Sequence, residues 1–266
     1  MSIKETLDIN ENLHFENNLY YQKHLSHGGA FERLYLKLRE KENRLYTEDL
    51  VKRFPEIPSD HPLHTEWAIR KFSLERLVGY LKEKKEATRI LEVGCGNGWL
   101  SNYLIQNLPM EVCGLDVNEF ELKQASNLFI NARLSFVYAN VWEKVLLPAA
   151  FDFIILASSV QYFPDLKLLV TRLQELVAEK GEIHILDSPL YRSTQESEAA
   201  RLRSHKYFTS LGFPQMTDNY FHHTIHALSD FNFTVLYNPK SLTSCFRNRI
   251  LRSPQSPFPW IRILSR

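Results

Sequence analysis

The chain of 266 residues lacks the features that define several classes of protein. Its three cysteines, Cys95, Cys113 and Cys245, are unclustered, which favours reduced thiols and argues against a zinc site. The longest apolar runs, such as residues 153–157, are far too short to span a bilayer. A net charge of +1 gives no overall field for a polyanion. The first 18 residues lack the apolar core of a signal peptide, so we expect a cytoplasmic location.

Glycine is scarce as well, yet three of the nine glycines alternate within one run, ILEVGCGNGWL at 90–100. The apolar stretch before them predicts a strand, and apolar residues resume at helical spacing after them. A strand that turns sharply into a helix exposes backbone amides, which is how α/β folds hold nucleotide-like cofactors. For the loop alone, a tight turn without a ligand is the alternative interpretation.

Asp116 makes the cofactor interpretation more specific. It ends a second apolar run, 111–117, and lies 18 positions after Gly98. In doubly wound sheets an acid at the end of the second strand binds the ribose hydroxyls of an adenosine. A dinucleotide loop would have its third glycine at position 99, where this chain has Trp99. The pattern therefore favours an adenosine-containing cofactor other than a nicotinamide dinucleotide.

Strands and helices alternate from about residue 88. Strands are predicted at 89–95, 111–117, 134–140, 151–159, 182–188, 233–239 and 259–265. This order predicts an α/β fold with a Rossmann-like, doubly wound, mainly parallel seven-stranded sheet whose last two strands form an edge hairpin. We expect a mostly helical extension over residues 1–65, a cofactor-binding domain over 66–266, and a lid insertion at about 189–221.

The loop from Glu92 to Gly98 resembles that of the class I methyltransferases, which use S-adenosylmethionine (SAM). The resemblance is closest to the type 11 methyltransferase domain, whose fourth strand begins with Phe-Asp, here Phe151-Asp152, and is followed by a Pro-Asp helix start, here Pro164-Asp165. It covers residues 88–190 well and 222–265 more loosely. It implies SAM as the methyl donor and S-adenosylhomocysteine (SAH) as the product.

The resemblance also implies a set of cofactor-binding residues. They are Glu92, Gly94, Cys95, Gly96, Gly98, Asp116, Val117, Asn140, Val141, Ala157 and Ser158. Asn140 stands where the family usually has an acid, and its amide oxygen can accept the same hydrogen bond from the adenine amino group.

The acceptor side carries a weaker signal. Candidate substrate residues are Tyr162, Tyr191, His205, Tyr207 and His222. We assign no catalytic residue, because methyl transfer depends on alignment and needs a base only when the acceptor must lose a proton. The HHxxH pattern that starts at His222 lacks a glutamate base, so we expect no metal.

The sequence predicts a SAM-dependent methyltransferase that acts on an oxygen or nitrogen of a small molecule. One alternative is an RNA or protein methyltransferase, which would need a coherent basic face joining residues 240–266 to the pocket. Another is a SAM-binding protein without catalysis. Nucleic-acid and membrane partners are not expected, and the oligomeric state stays open.

Overall fold

The computed structural model describes residues 3–7, 12–23, 25, 29–84, 86, 88–241 and 255–266. Within these residues the strands are β1 Leu13–Glu16, β2 Leu19–Gln22, β3 Arg89–Val93, β4 Glu111–Asp116, β5 Leu134–Tyr138, β6 Phe151–Ala157, β7 Val177–Leu186, β8 Phe233–Tyr237 and β9 Trp260–Leu264. The α-helices are α1 Ala30–Lys41, α2 Glu48–Val51, α3 His64–Lys82, α4 Trp99–Asn107, α5 Glu119–Leu128, α6 Leu166–Leu176 and α7 Thr194–Leu211.

The strands form one sheet in the order β1-β2-β5-β4-β3-β6-β7-β9-β8. The central strands β5, β4, β3, β6 and β7 are parallel. The strand β9 is antiparallel to both β7 and β8, so the last two strands form the expected edge hairpin. The predicted fold class, a Rossmann-like and mainly parallel sheet, is confirmed.

Two strands come from the N-terminal segment, which raises the number of described strands from the expected seven to nine. Asn17 and Asn18, at φ 51° and 61°, join β1 to β2 in a two-residue turn, and β2 lies parallel to β5. Asparagine is among the few residues that accept such φ values, so Asn17-Asn18 was the available hairpin signal. The expectation of a mostly helical segment over 1–65 omitted this hairpin.

Local chemistry explains where the helices of the central domain begin. The side chain of Asn118 accepts a hydrogen bond from the backbone N–H of Glu121 at 3.1 Å, which caps α5. Asp165 caps α6 in the same way through Leu168 N at 2.9 Å. Four leucines of α6 at helical spacing are fully buried against the sheet, namely Leu166, Leu169, Leu173 and Leu176. These caps place the helix starts at the carboxyl edge of the sheet.

The segment between β7 and β8 contains α7 and two short 3-10 helices, Pro214–Asn219 and Ile225–Leu228. Phe208 and Met216 from this segment are buried against Leu38 of α1. The N-terminal helix and the insertion at 189–221 therefore pack on each other. The domain boundary at 65/66 stays a prediction, and it falls within the first turn of α3. None of the described helices is long and apolar enough to cross a membrane.

Candidate functional site

The loop after β3 requires its glycines. Gly94, Gly96 and Gly98 have φ values of 79°, 52° and 72°, in the left-handed region that glycine accepts without strain. A Cβ at Gly94 would lie 2.6 Å from the Cβ of Ser159, and one at Gly98 would lie 2.5 Å from the Cζ of Phe136. Backbone geometry and close packing therefore both fix the alternate spacing.

Asp116 holds this loop against the end of β4. Its Oδ2 accepts a hydrogen bond from the backbone N–H of Gly96 at 2.7 Å, and its Oδ1 accepts one from that of Asn118 at 2.8 Å. Burial raises the pKa of Asp116, and these backbone hydrogen bonds oppose the shift. The acid that the sequence singles out thus shapes the loop directly.

Two further carboxyl groups lie beside the loop. Glu92, 2% exposed at the end of β3, accepts a 2.5 Å hydrogen bond from the hydroxyl of Ser101. Burial raises the pKa of Glu92 to about 8 although this hydrogen bond opposes the shift. Burial and the charge of Asp116 raise the pKa of Glu121 to about 7. Carboxyl groups with raised pKa values favour a ligand that brings positive charge or hydrogen-bond donors.

Three adjoining spaces open at the carboxyl edge of the sheet, and the glycine loop lines two of them. We call them the inner chamber, of about 240 Å³, the loop chamber, of about 110 Å³, and the outer cleft, of about 590 Å³. Ser158, just after β6 and at φ 56°, lines all three. The three spaces therefore lie next to one another at Ser158.

The inner chamber gathers most of the predicted cofactor residues. Those that line it are Gly94, Gly96, Asp116, Val117, Asn140, Val141 and Ser158. The backbone N–H of Asn140 donates to Gln22 Oε1 of β2 at 3.0 Å, so the N-terminal hairpin steadies this wall. The sequence did not predict the contribution of α1, whose residues Phe31, Glu32 and Tyr35 form the facing wall.

The loop chamber is lined by the predicted residues Glu92, Gly94, Cys95, Gly96, Ala157 and Ser158. Arginines from the N-terminal half face them. Arg44 makes two hydrogen bonds to Glu66, at 2.8 and 2.6 Å, and Arg70 makes a third at 3.0 Å. Arg44 also pairs with Glu42 at 3.7 Å, and Arg39 pairs with the same carboxylate at 3.0 Å. Three guanidinium groups thus share two carboxylates, which leaves an excess of one positive charge. Gly98 is not among the described residues that line any of the three spaces.

Glu66 is strongly held by these arginines. Burial alone would raise its pKa, but the hydrogen bonds from Arg44 and the charge of Arg70 outweigh burial and lower the pKa to about 2. Glu66 is therefore ionised at neutral pH, and it orients both guanidinium groups at the edge of the loop chamber.

The outer cleft contains two of the five predicted substrate residues. The hydroxyl of Tyr162 accepts a hydrogen bond from Arg39 at 2.8 Å, and that of Tyr207 donates one to Glu42 at 2.6 Å. The other three predicted residues do not line the cleft as described. His205 is exposed on α7 and contacts Thr217 Oγ1 at 3.3 Å. Tyr191 and His222 pack on each other, with ring centroids 5.9 Å apart.

Sequence reasoning missed two polar residues of the outer cleft. Gln161 is 7% exposed, and its Nε2 donates to Ser158 O at 2.5 Å while its Oε1 has no partner in the described residues. Asp187, at φ 50°, accepts hydrogen bonds from the hydroxyls of Ser73 at 2.7 Å and Ser256 at 2.8 Å. Asp187 directly follows β7, so its place at the carboxyl end of a predicted strand was the available signal, whereas Gln161 belongs to no local motif.

Some sequence expectations fall on parts of the chain that the structure does not describe. Cys245 and residues 242–254 of the basic segment at 240–266 lie outside the described residues. Within the described ranges, no group of three histidine, cysteine, aspartate or glutamate side chains is arranged to hold a metal ion.

Comparison with known proteins identifies the domain. Residues 90–181 match a family model described as a methyltransferase domain. An uncharacterized methyltransferase of Mycobacterium bovis is 28% identical over 97 residues, which cover 36% of this chain and 49% of that protein. A ubiquinone biosynthesis O-methyltransferase of Leptothrix cholodnii is 28% identical over 128 residues, which cover 47% of this chain and 52% of that protein. The chain thus spans about half the length of these curated relatives.

The fold is also found among solved structures. The plantazolicin methyltransferase BpumL, solved in complex with a triazolic desmethylPZN analog and SAH, superposes with a TM-score of 0.57 at 18% identity. The superposition covers 89% of this chain and 95% of that one. At this identity the likeness shows the fold, and together with the family match it confirms the resemblance to class I methyltransferases.

Proposed function

We propose that this chain, whose residues 90–181 match a methyltransferase domain, binds SAM and transfers its methyl group to an oxygen or nitrogen of a small molecule. One observation carries the proposal: Ser158 lines the inner chamber, the loop chamber and the outer cleft. A donor that occupies the first two spaces thus meets an acceptor in the third at this residue. The sulfonium of SAM supplies a methyl carbon that is open to in-line displacement.

The residues of the inner chamber suit the adenosine part of SAM. Asp116 offers a carboxylate to the ribose hydroxyls. Val117 offers an apolar surface to the adenine ring, and Asn140 offers its side-chain amide to the edge of that ring. The chamber therefore supplies hydrogen-bond acceptors for a diol beside apolar surface for a flat ring, the combination that an adenosine requires.

The loop chamber suits the methionine part. Glu92, whose ionisation burial opposes, would be favoured in its charged form by the ammonium group of SAM. Arg44 and Arg70, which share Glu66, present excess positive charge for the carboxylate of SAM. Each charged group of the methionine part would thus lie beside side chains of the opposite charge. The ammonium would lie beside Glu92, and the carboxylate would lie beside Arg44 and Arg70.

The outer cleft supports a small acceptor. Its volume of about 590 Å³ lies within the roughly 300–1,000 Å³ range of small-molecule sites. Apolar side chains such as Ile69, Phe208 and Phe258 line it beside the free Gln161 Oε1. This buried oxygen lacks a donor, so an acceptor whose nucleophile carries an O–H or N–H group would satisfy it. That hydrogen bond would orient the nucleophile beside Ser158.

Transfer of radiolabelled methyl from SAM into fractionated cell extract tests the proposal. We expect label in the small-molecule fraction with the wild-type chain and none above background with Asp116→Ala. Label in RNA or protein would support the macromolecular alternative. Binding of SAH without label in any fraction would support a SAM-binding protein that lacks catalysis.

A further inference from the structure

A carboxylate of the N-terminal helix lies in the inner chamber with one oxygen unused. Glu32, on the first turn of α1, is 6% exposed. Its Oε1 accepts a hydrogen bond from the backbone N–H of Glu119, the first residue of α5, at 2.7 Å. Its Oε2 is buried and has no hydrogen-bond partner in the described part of the chain. Burying an acceptor in this way is costly unless a ligand supplies a donor.

The neighbours of Glu32 indicate which donor is missing. Both Glu32 and Asp116 line the inner chamber. Asp116 is fixed by Gly96 N and Asn118 N, and Glu32 by Glu119 N, so the two carboxylates meet at the start of α5. The charge of Glu32 raises the pKa values of Asp116 and Glu121, although burial is the main cause of both shifts. A neutral group with two adjacent donors would serve both carboxylates without adding charge.

We propose that Glu32 Oε2 accepts a hydrogen bond from one hydroxyl of the SAM ribose while Asp116 accepts one from the other. This inference rests on the proposed function. It makes α1, which lies outside the matched residues 90–181, part of the cofactor site. Helix α1 therefore covers the pocket and also supplies one of the two carboxylates that bind the ribose diol.

The adenine amino group is the other donor that Glu32 could meet. Asn140 lies beyond the end of β5, on the far side of β4 from the glycine loop, and lines the same chamber. Glu32 is instead tied to α5, which follows Asp116 directly. The ribose is thus favoured, and the two groups can be separated with ligand analogues.

The test measures binding by titration calorimetry with the full chain and SAH, its 2′-deoxy and 3′-deoxy analogues, and S-inosylhomocysteine, which lacks the adenine amino group. We expect Glu32→Gln to weaken SAH binding by about tenfold or more, because the carboxamide offers an N–H where the hydroxyl needs an acceptor. Glu40→Gln, an exposed position on the same helix, is the matched control and should leave the affinity unchanged.

The analogues decide which group Glu32 contacts. For one of the deoxy analogues, the loss caused by Glu32→Gln should nearly disappear, because the hydroxyl it serves is already absent. The same loss with both deoxy analogues as with SAH, or a loss that disappears only with S-inosylhomocysteine, would overturn the ribose assignment. So would unchanged SAH binding by Glu32→Gln. A wild-type chain that does not bind SAH would instead refute the proposed function, and this inference with it.

Discussion

The inner and loop chambers lie between two walls that are built in different ways. The loop of residues 94–98 depends on backbone conformation: its glycines have positive φ, and Asp116 fixes it through backbone hydrogen bonds. The facing wall depends on side chains that α1 and α3 bring from far along the chain, such as Glu32 and Arg70. A change in the first wall should therefore disturb the fold, whereas a change in the second should disturb recognition of the ligand.

The largest effect is expected at the glycine loop. Gly98→Ala should lower the free energy of unfolding by about 3–4 kcal/mol, because it adds backbone strain at φ 72° to an overlap with Phe136. Gly212→Ala is the control, since Gly212 has φ 87° with nothing within 4 Å of the added Cβ. It should cost only about 1 kcal/mol in urea unfolding. Equal losses would contradict the packing argument.

A pH-dependent effect is expected at Glu92, which lines the loop chamber. Its folded pKa of about 8 lies above its unfolded value of 4.5, so the folded chain holds a proton that the unfolded chain releases. Stability from this group is full below pH 4.5 and falls as the pH rises towards 8. Glu92→Gln does not titrate.

The stability of Glu92→Gln relative to wild type, measured by urea unfolding without ligand, should therefore increase by about 3 kcal/mol between pH 5 and pH 8. A difference that stays constant with pH would show that Glu92 is ionised in the folded chain.

At Arg44 we expect a smaller effect on stability than at Gly98 and a clear effect on ligand binding. Arg44→Met should weaken SAH binding about tenfold, because it removes positive charge that faces the ligand carboxylate. Binding of 5′-methylthioadenosine, which lacks the amino-acid part, should not change. Calorimetric titrations with both ligands check this. Equal losses for the two would mean that Arg44 supports the fold of the pocket and does not contact the carboxylate.

The smallest effect is expected at His205, which the sequence analysis placed among the candidate substrate residues. Its side chain is exposed on α7 and does not line the outer cleft as described. His205→Ala should therefore change stability by less than about 0.5 kcal/mol. Methyl transfer, once an acceptor is found, should stay within about twofold. A loss of transfer with intact SAH binding would restore His205 as an acceptor-site residue.

The sequence predicted the structure well wherever a short stretch of residues determines its own backbone conformation. The order of strands 3 to 9, the glycine loop and Asp116 all follow from local patterns of apolar residues, glycines and strand ends. The Asn17-Asn18 turn was such a pattern too, and it was overlooked. By contrast, Glu32 and Gln161 reach the site through tertiary packing, which no local spacing encodes. Asp187 directly follows β7, and this strand-end position was overlooked.

Calorimetric titration of the full chain with SAH tests the central claim most directly, namely that the inner and loop chambers hold SAM. We predict saturable binding at one site per chain, and a loss on the order of a hundredfold in Asp116→Ala, which removes the carboxylate that both shapes the loop and faces the ribose. No binding by the wild-type chain at about 1 mM SAH, or equal affinity in Asp116→Ala, would contradict the claim.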